Sequence, residues 1–243
     1  MKKIDCHAHY GTWYCDPSHA CSIDALRRML DKFEIEKCIL SSGKAILYDI
    51  VEGNAEVAQA VKEDKRLYGS VVFNPNYKSE SLEQLRRHLD NPRFVAMKNH
   101  PDYSGQELDS KANLEILEAF HEVPLTAHVM GAARVNAGVL VAKRHPSMPV
   151  VFFHMGCPDW EYAIEAARNV DNVMLEAVAS NPERARIRQA VETLGADRML
   201  FGTDQTLLDP AYMIGMFEES GFTLEERKKI YCANSERIFF AHR

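Results

Sequence analysis

The stretch Lys3-Ile4-Asp5-Cys6-His7-Ala8-His9-Tyr10-Gly11 reads as a buried strand carrying two histidines two residues apart. Alternate side chains of a strand share a face, so His7 and His9 point the same way and can grip one metal ion while Ile4, Cys6 and Ala8 pack behind them. A His-x-His pair also arises by chance, so its meaning depends on whether other strands bring ligands to the same place.

Seven further strand-like runs follow: Cys38 to Ser42, Tyr68 to Asn74, Phe94 to His100, Leu125 to Met130, Val150 to Met155, Val173 to Ala179 and Met199 to Asp204. Between them lie stretches with apolar residues three or four apart, such as Ile23, Leu26, Leu30 and Phe33, or Val51, Ala55, Ala58 and Val61, which is the spacing of one helix face. Ser22 and Ser79 read as N-caps, Asn181-Pro182 and Asp209-Pro210 as a cap followed by a first-turn proline, and Thr223 with Glu226 as a capping box. Two helical segments, roughly Thr223 to Cys232 and Asn234 to Ala241, close the chain. Strand and helix alternating eight times, with strands rich in Val, Ile, Leu and Phe, indicate a parallel sheet covered by helices. Eight units favour closure into a (β/α)8 TIM barrel, and no Gly-rich phosphate turn or Walker sequence argues for an open nucleotide-binding sheet. Residues 1–243 are expected to form one domain, a usual length for such a barrel.

Composition narrows the function. With 29 basic against 35 acidic residues and a formal charge of −6, neither nucleic acid nor a membrane surface is expected as a partner. No apolar run is long enough to span a bilayer. The opening Met1-Lys2-Lys3-Ile4-Asp5 lacks the apolar core of a secretory signal and runs straight into the first strand, so a cytoplasmic location is expected. The six cysteines (Cys6, Cys15, Cys21, Cys38, Cys157 and Cys232) are scattered, as reduced thiols would be. Cys15, His19 and Cys21 follow the His pair closely but match no CxxC-type spacing and read as an ordinary loop.

In such a barrel the chemistry sits at the C-terminal strand ends. His7 and His9 end the first strand, Lys98 and His100 the fourth, His128 the fifth, His154 the sixth and Asp204 the eighth. Five strands thus deliver imidazole, ammonium or carboxylate to one end, which incidental core histidines would not do. His88, His121 and His145 lie in helix-like segments and read as structural or solvated.

With these stretches in view, the chain resembles the amidohydrolase superfamily, in particular its amidohydrolase-2 branch of metal-dependent TIM-barrel enzymes. The likeness rests on Asp5-Cys6-His7-Ala8-His9, on Lys98-Asn99-His100-Pro101 with Tyr103, Gln106 and Asp109, and on Ala127-His128-Val129. It continues through Arg144-His145-Pro146, Phe153-His154-Met155-Gly156 and Phe201-Gly202-Thr203-Asp204 to Asn234-Ser235-Glu236-Arg237-Ile238-Phe239. The resemblance implies that His7, His9, His128 and Asp204 bind one divalent metal ion, zinc in most of the branch and manganese in some members, with His154 beside the metal-bound water as a catalytic group. Three neutral imidazoles and one carboxylate leave a net positive charge on a divalent ion, which brings the pKa of bound water to about 7. Asp204 is then placed to accept the proton as water attacks.

Lys98 admits three readings: a carboxylated bridge between two metals, an ammonium that anchors or acts on an anionic substrate, or a buried ion pair with Asp5 or Glu176. His100 shares its face and reads as a substrate contact. Arg134 reads as a second anion anchor or as a solvated helix residue. The segment from Thr12 to Ser22 is the candidate lid, with Trp13 and Tyr14 lining the pocket or packing against the last strand's loop, and in a homodimer a neighbouring subunit would finish the site. The expected activity is metal-dependent hydrolysis of a lactone, ester or amide in a small, anionic molecule. The alternative is non-oxidative decarboxylation of a small aromatic or unsaturated acid, and a second is a metal-binding barrel without turnover.

Overall fold

A computed structural model describes residues 1–13, 16–178 and 184–241, without the side chains of residues 16–20 and 184. Its strands are β1 (Lys3–Trp13), β2 (Asp16–Cys21), β3 (Ile35–Ser42), β4 (Leu67–Val72), β5 (Phe94–Asn99), β6 (Leu125–Met130), β7 (Val150–Gly156), β8 (Val173–Glu176) and β9 (Met199–Leu200). β2 lies antiparallel on β1, and the other eight run parallel in the order β1-β3-β4-β5-β6-β7-β8-β9. Beyond β9 the chain returns to the free edge of β1: the Cys6 N–H donates to the Phe201 carbonyl at 3.1 Å, and Ala8 bridges Gln205 in the parallel sense. The buried Asp5 carboxylate fastens this seam by accepting from the Thr203 N–H at 3.0 Å and from Gln205 Nε2 at 2.7 Å. The ring is therefore closed, and the fold is the (β/α)8 barrel expected from the alternation.

Period-two patterning sorts the apolar side chains. Cys38, Leu40, Val150, Phe152, Val173, Leu175, Met199 and Phe201 join the large cluster packed with the helices. Their sequence neighbours Ile39, Val151, Phe153, Met174 and Leu200 form a separate cluster with Ile238 and Phe239 of the last helical segment. The second set is the lumen filling, plugged at one end by the chain's final turns. Each fully buried side chain of this size contributes about 1.5–3 kcal/mol relative to exposure, so the parallel strands are held from both faces.

Most helix starts are where their caps place them. Ser22 Oγ accepts from the Ala25 N–H at 3.2 Å, Asp209 caps the helix that begins with Pro210, and the Thr223–Glu226 capping box is complete. Ser79 does not cap: a 3-10 turn over Pro75–Tyr77, capped by Asn74, leads directly into the helix Lys78–Leu89. Proline's fixed φ starts the helical turn early there. Asn181-Pro182 lies outside the described residues, as do Cys15 and Tyr14. The candidate lid is instead largely strand, because β1 runs on to Trp13 and β2 folds back with Gly11 opposite Cys21 and Trp13 opposite Asp16. No helix among the described residues is long and apolar enough to cross a membrane.

Candidate active site

The singled-out polar residues sit at the C-terminal strand ends: His7 and His9 on β1, Lys98 on β5, His128 on β6, His154 on β7 and Asp204 four residues beyond β9. His100 follows β5 and opens the short helix Pro101–Ser104, while Arg134 lies in the helix Ala132–Arg144. His154, Met155 and Asp204 have φ of 67°, 40° and 56°. Non-glycine residues held in the left-handed region cost about 1–3 kcal/mol each and concentrate where side chains must be aimed.

The rim residues form two groups. In the inner group, Oδ1 of Asp204 lies 3.0 Å from His9 Nε2 and 3.4 Å from His7 Nε2, and one ligand atom each from His7, His154 and Asp204 falls within 4.8 Å of the others. Every ring is fixed from behind. His7 Nδ1 faces Glu176 Oε2 at 3.0 Å, His9 Nδ1 faces Ser41 Oγ at 3.1 Å, and His154 Nδ1 faces the Val178 carbonyl at 3.0 Å. A carbonyl only accepts, so His154 Nδ1 carries the proton and Nε2 offers its lone pair. Glu176 also accepts from the backbone N–H groups of Val178 at 2.7 Å and His154 at 3.4 Å, which fixes its carboxyl group behind the His7 ring. Gly202 makes room for this contact: a Cβ there would stand 2.8 Å from both Glu176 Oε1 and the His7 Cβ.

His7 Nε2 and Asp204 Oδ1 are both buried, face each other at 3.4 Å, and have no hydrogen-bond partner among the described residues. Such a pair is what a cation resolves, so the donor set fits a divalent metal. Burial holds His7 well below the usual imidazole range and lowers His9, and it brings His154 down to about 3. All three are neutral and ready to coordinate. Burial by itself raises Asp204, but nearby His9, His154 and Lys98 outweigh it and keep the carboxyl below its usual range. Burial pushes Glu176 up to about 8 despite its backbone donors.

The outer group holds His100, Asp102 and His128, with one ligand atom from each within 4.8 Å of the others. His128 Nε2 lies 2.8 Å from Asp102 Oδ2, and Arg134 holds Asp102 Oδ1 at 2.7 Å. The His100 and His128 rings stack at 3.9 Å with an 18° interplanar angle. Arg134, expected as an anion anchor, thus already has a carboxylate partner, and His128 is turned toward Asp102.

Lys98 is buried, its Nζ makes no hydrogen bond among the described residues, and it rests 4.0 Å above the centroid of Phe153, on which the His7 ring also stacks at 3.8 Å. Loss of hydration brings its pKa down to about 7 against the pull of Asp204 and Glu176. It forms neither of the ion pairs considered from sequence, since Asp5 is engaged at the β1–β9 seam. Trp13 is buried with its ring edge-on to His9 at 4.9 Å and shares an apolar cluster with Leu207 beyond β9, which is the packing against the last strand's loop. Sequence reasoning passed over two residues. Glu176, considered only as a partner for Lys98, carried a usable signal in its position at the end of the apolar run Val173-Met174-Leu175. Asp102 carried none, because its role depends on how the turn after β5 folds.

The sequence profile of the family described as Amidohydrolase matches residues 4–241. Among solved structures the chain is similar to 2,6-dihydroxybenzoate decarboxylase from Rhizobium, with 16% identity and a TM-score of 0.77 over 100% of this chain and 99% of that one. It is similar to a dihydroxybenzoic acid decarboxylase from Polaromonas sp. JS666 with bound manganese and the inhibitor 2-nitroresorcinol, with 18% identity and a TM-score of 0.78 over 100% and 98% of the two chains. A third similar structure is 5-carboxyvanillate decarboxylase from Sphingomonas paucimobilis, with 14% identity and a TM-score of 0.78 over 98% of each chain. No curated protein matches the sequence. At these identities the structural likenesses establish the barrel fold.

Proposed function

The chain belongs to the amidohydrolase family, and from that premise we propose that it is a metal-dependent, non-oxidative decarboxylase of a small hydroxylated aromatic acid. We assign His7, His9, His128 and Asp204 to one divalent ion, zinc or manganese, with His128 turning inward from Asp102. When bound, such an ion supplies Lewis-acid anchoring for the carboxylate and an adjacent oxygen of the substrate.

The observation that carries the reading is Lys98. A buried amine with no hydrogen-bond partner, set over an aromatic ring beside the inner group, calls for an anion that is itself flat and apolar. An arriving carboxylate stabilises the ammonium form and pairs with it. Phe153 and Trp13 give apolar walls that exclude water. Loss of CO2 from such an acid needs a proton on the ring carbon that bears the carboxylate; the carbon–carbon bond pair then returns to the ring and CO2 departs. Asp204, whose Oδ1 faces His7 and His9, is ionised in the free site, so its Oδ2 would take the proton of the substrate's own hydroxyl group and deliver it to that carbon, leaving a phenolate and CO2. His154, neutral and with its Nε2 lone pair directed away from Val178, can only accept there and so orients a protonated oxygen of the substrate. The decarboxylase activities named for the similar structures support the same choice.

Hydrolysis of a lactone, ester or amide is the second reading, favoured by the His154 Nε2 lone pair, which suits a group that orients an attacking water. The test is turnover by protein reconstituted with Mn2+ or Zn2+ on hydroxybenzoates, lactones and amides. Release of CO2 from a hydroxybenzoate, abolished in Asp204→Asn, is expected. Hydrolysis of a lactone or amide with no CO2 from any acid would overturn the proposal in favour of the second reading.

A further inference from the structure

We propose that His100, Asp102 and His128 form an outer cation station, through which a divalent ion is captured at the rim before passing to the inner group; this rests on reading the inner group as a divalent-cation site. The three side chains already bring ligand atoms within 4.8 Å of one another. A hydrogen-bonded Asp102–His128 pair alone would not need His100, whose Nδ1 is buried and has no hydrogen-bond partner. Arg134 occupies Asp102 Oδ1 and leaves Oδ2 facing the rings.

The two groups are joined by an unbroken run of imidazoles. Ring centroids are 3.9 Å apart from His100 to His128, 4.5 Å from His128 to His154 and 5.0 Å from His154 to His7. Exposure is greatest at Asp102, whose side chain is 36% exposed against 17% for His128 and 1% for His7, while His100 is itself buried. The entry point is therefore the outer carboxylate, and His128 is the ligand that both positions share. The inner position is the stronger one. Its carboxylate, Asp204, faces two imidazoles, whereas the one carboxylate of the outer position is shared with the Arg134 guanidinium.

The experiment uses Co2+ and its visible absorption to count ions and report their surroundings. The variant His7→Ala/Asp204→Ala, checked for folding by circular dichroism, should still bind one Co2+ per chain, at least about tenfold more weakly than the unaltered protein, and adding Asp102→Asn should abolish that binding. In the otherwise unaltered protein, Asp102→Asn should slow Co2+ capture in stopped flow about tenfold while leaving the final stoichiometry at one. The kinetic arm stands even if the double variant does not fold. Absence of any ion from a folded His7→Ala/Asp204→Ala protein, or capture unchanged by Asp102→Asn, would overturn the station. Co2+ held at full affinity in the double variant, and then removed by Asp102→Asn, would support the outer site and sink the inner assignment.

Discussion

The inner and outer groups are built from the same residue types, histidines around one aspartate, yet they differ in what stands behind them. In the inner group each ring has its rear nitrogen engaged, by Glu176 for His7, Ser41 for His9 and the Val178 carbonyl for His154. In the outer group His100 Nδ1 has no hydrogen-bond partner among the described residues, and the aspartate is braced by a largely buried guanidinium. Ligand rings acquire a fixed tautomer and direction from the layer behind them. The comparison teaches that the β1–β9 seam is pre-organised for one geometry, while the rim beyond β5 and β6 is held loosely enough to exchange partners.

The most severe way to break the comparison is at Asp204. Asp204→Ala removes both the carboxylate that faces His7 and His9 and the proposed proton carrier. Elemental analysis should find loss of the tightly held metal, and turnover should fall by more than about a thousandfold. Full metal content in this variant would mean that the inner group is not the metal centre. His154→Asn is the next largest. Removing a proton-handling or orienting imidazole costs about 10²- to 10⁴-fold in rate, and most of the metal should remain because His7, His9, His128 and Asp204 are intact. A variant that loses its metal as completely as His128→Ala does would make His154 a ligand, as its closeness to His7 and Asp204 allows.

Much of this arrangement was legible before any coordinates, for a specific reason. Parallel strands buried on both faces are continuous apolar runs, so each was visible, and the barrel rule turned their last residues into a site. That reasoning found His7, His9, Lys98, His128, His154 and Asp204. It missed β2 because Asp16-Pro17-Ser18-His19 has no period-two pattern and owes its strand form to pairing with the end of β1, where Trp13 lies opposite Asp16. It underrated Glu176 because a single buried acid gives no motif, and Asp102 because its partners, His128 and Arg134, lie 26 and 32 residues on in the chain. Which imidazoles group together depends on side-chain direction at the strand ends, where His154 and Asp204 take left-handed backbone conformations that no propensity foretells.

Lys98→Met sharpens the comparison on its inner side, since Lys98 is the buried amine over Phe153 beside the inner group. The amine is not a ligand under the proposed reading, so the metal should stay, while KM for an anionic acid should rise about tenfold or more, the loss of a charge-assisted hydrogen bond worth about 1.5–3 kcal/mol. Loss of metal with the substitution, or a carbamate on Nζ bridging two ions in a crystal structure, would place this chain with the binuclear members of its superfamily.

The smallest effect is expected at Arg134, and it separates the two groups most finely. As an anion anchor its removal would cost as much as that of Lys98. Its guanidinium, however, already sits 2.7 Å from Asp102 Oδ1, with both side chains partly exposed at 21% and 36%. Ion pairs in such surroundings contribute about 0–1 kcal/mol, so Arg134→Ala should change KM for the acid by no more than about fivefold and leave kcat close to unaltered. Removing it also frees the Asp102 carboxylate of its neutralising charge. Co2+ should therefore bind the outer group more tightly in the His7→Ala/Asp204→Ala background when Arg134→Ala is added. A tenfold or larger rise in KM without that gain in Co2+ affinity would return Arg134 to the substrate and leave Asp102 as its structural counter-ion.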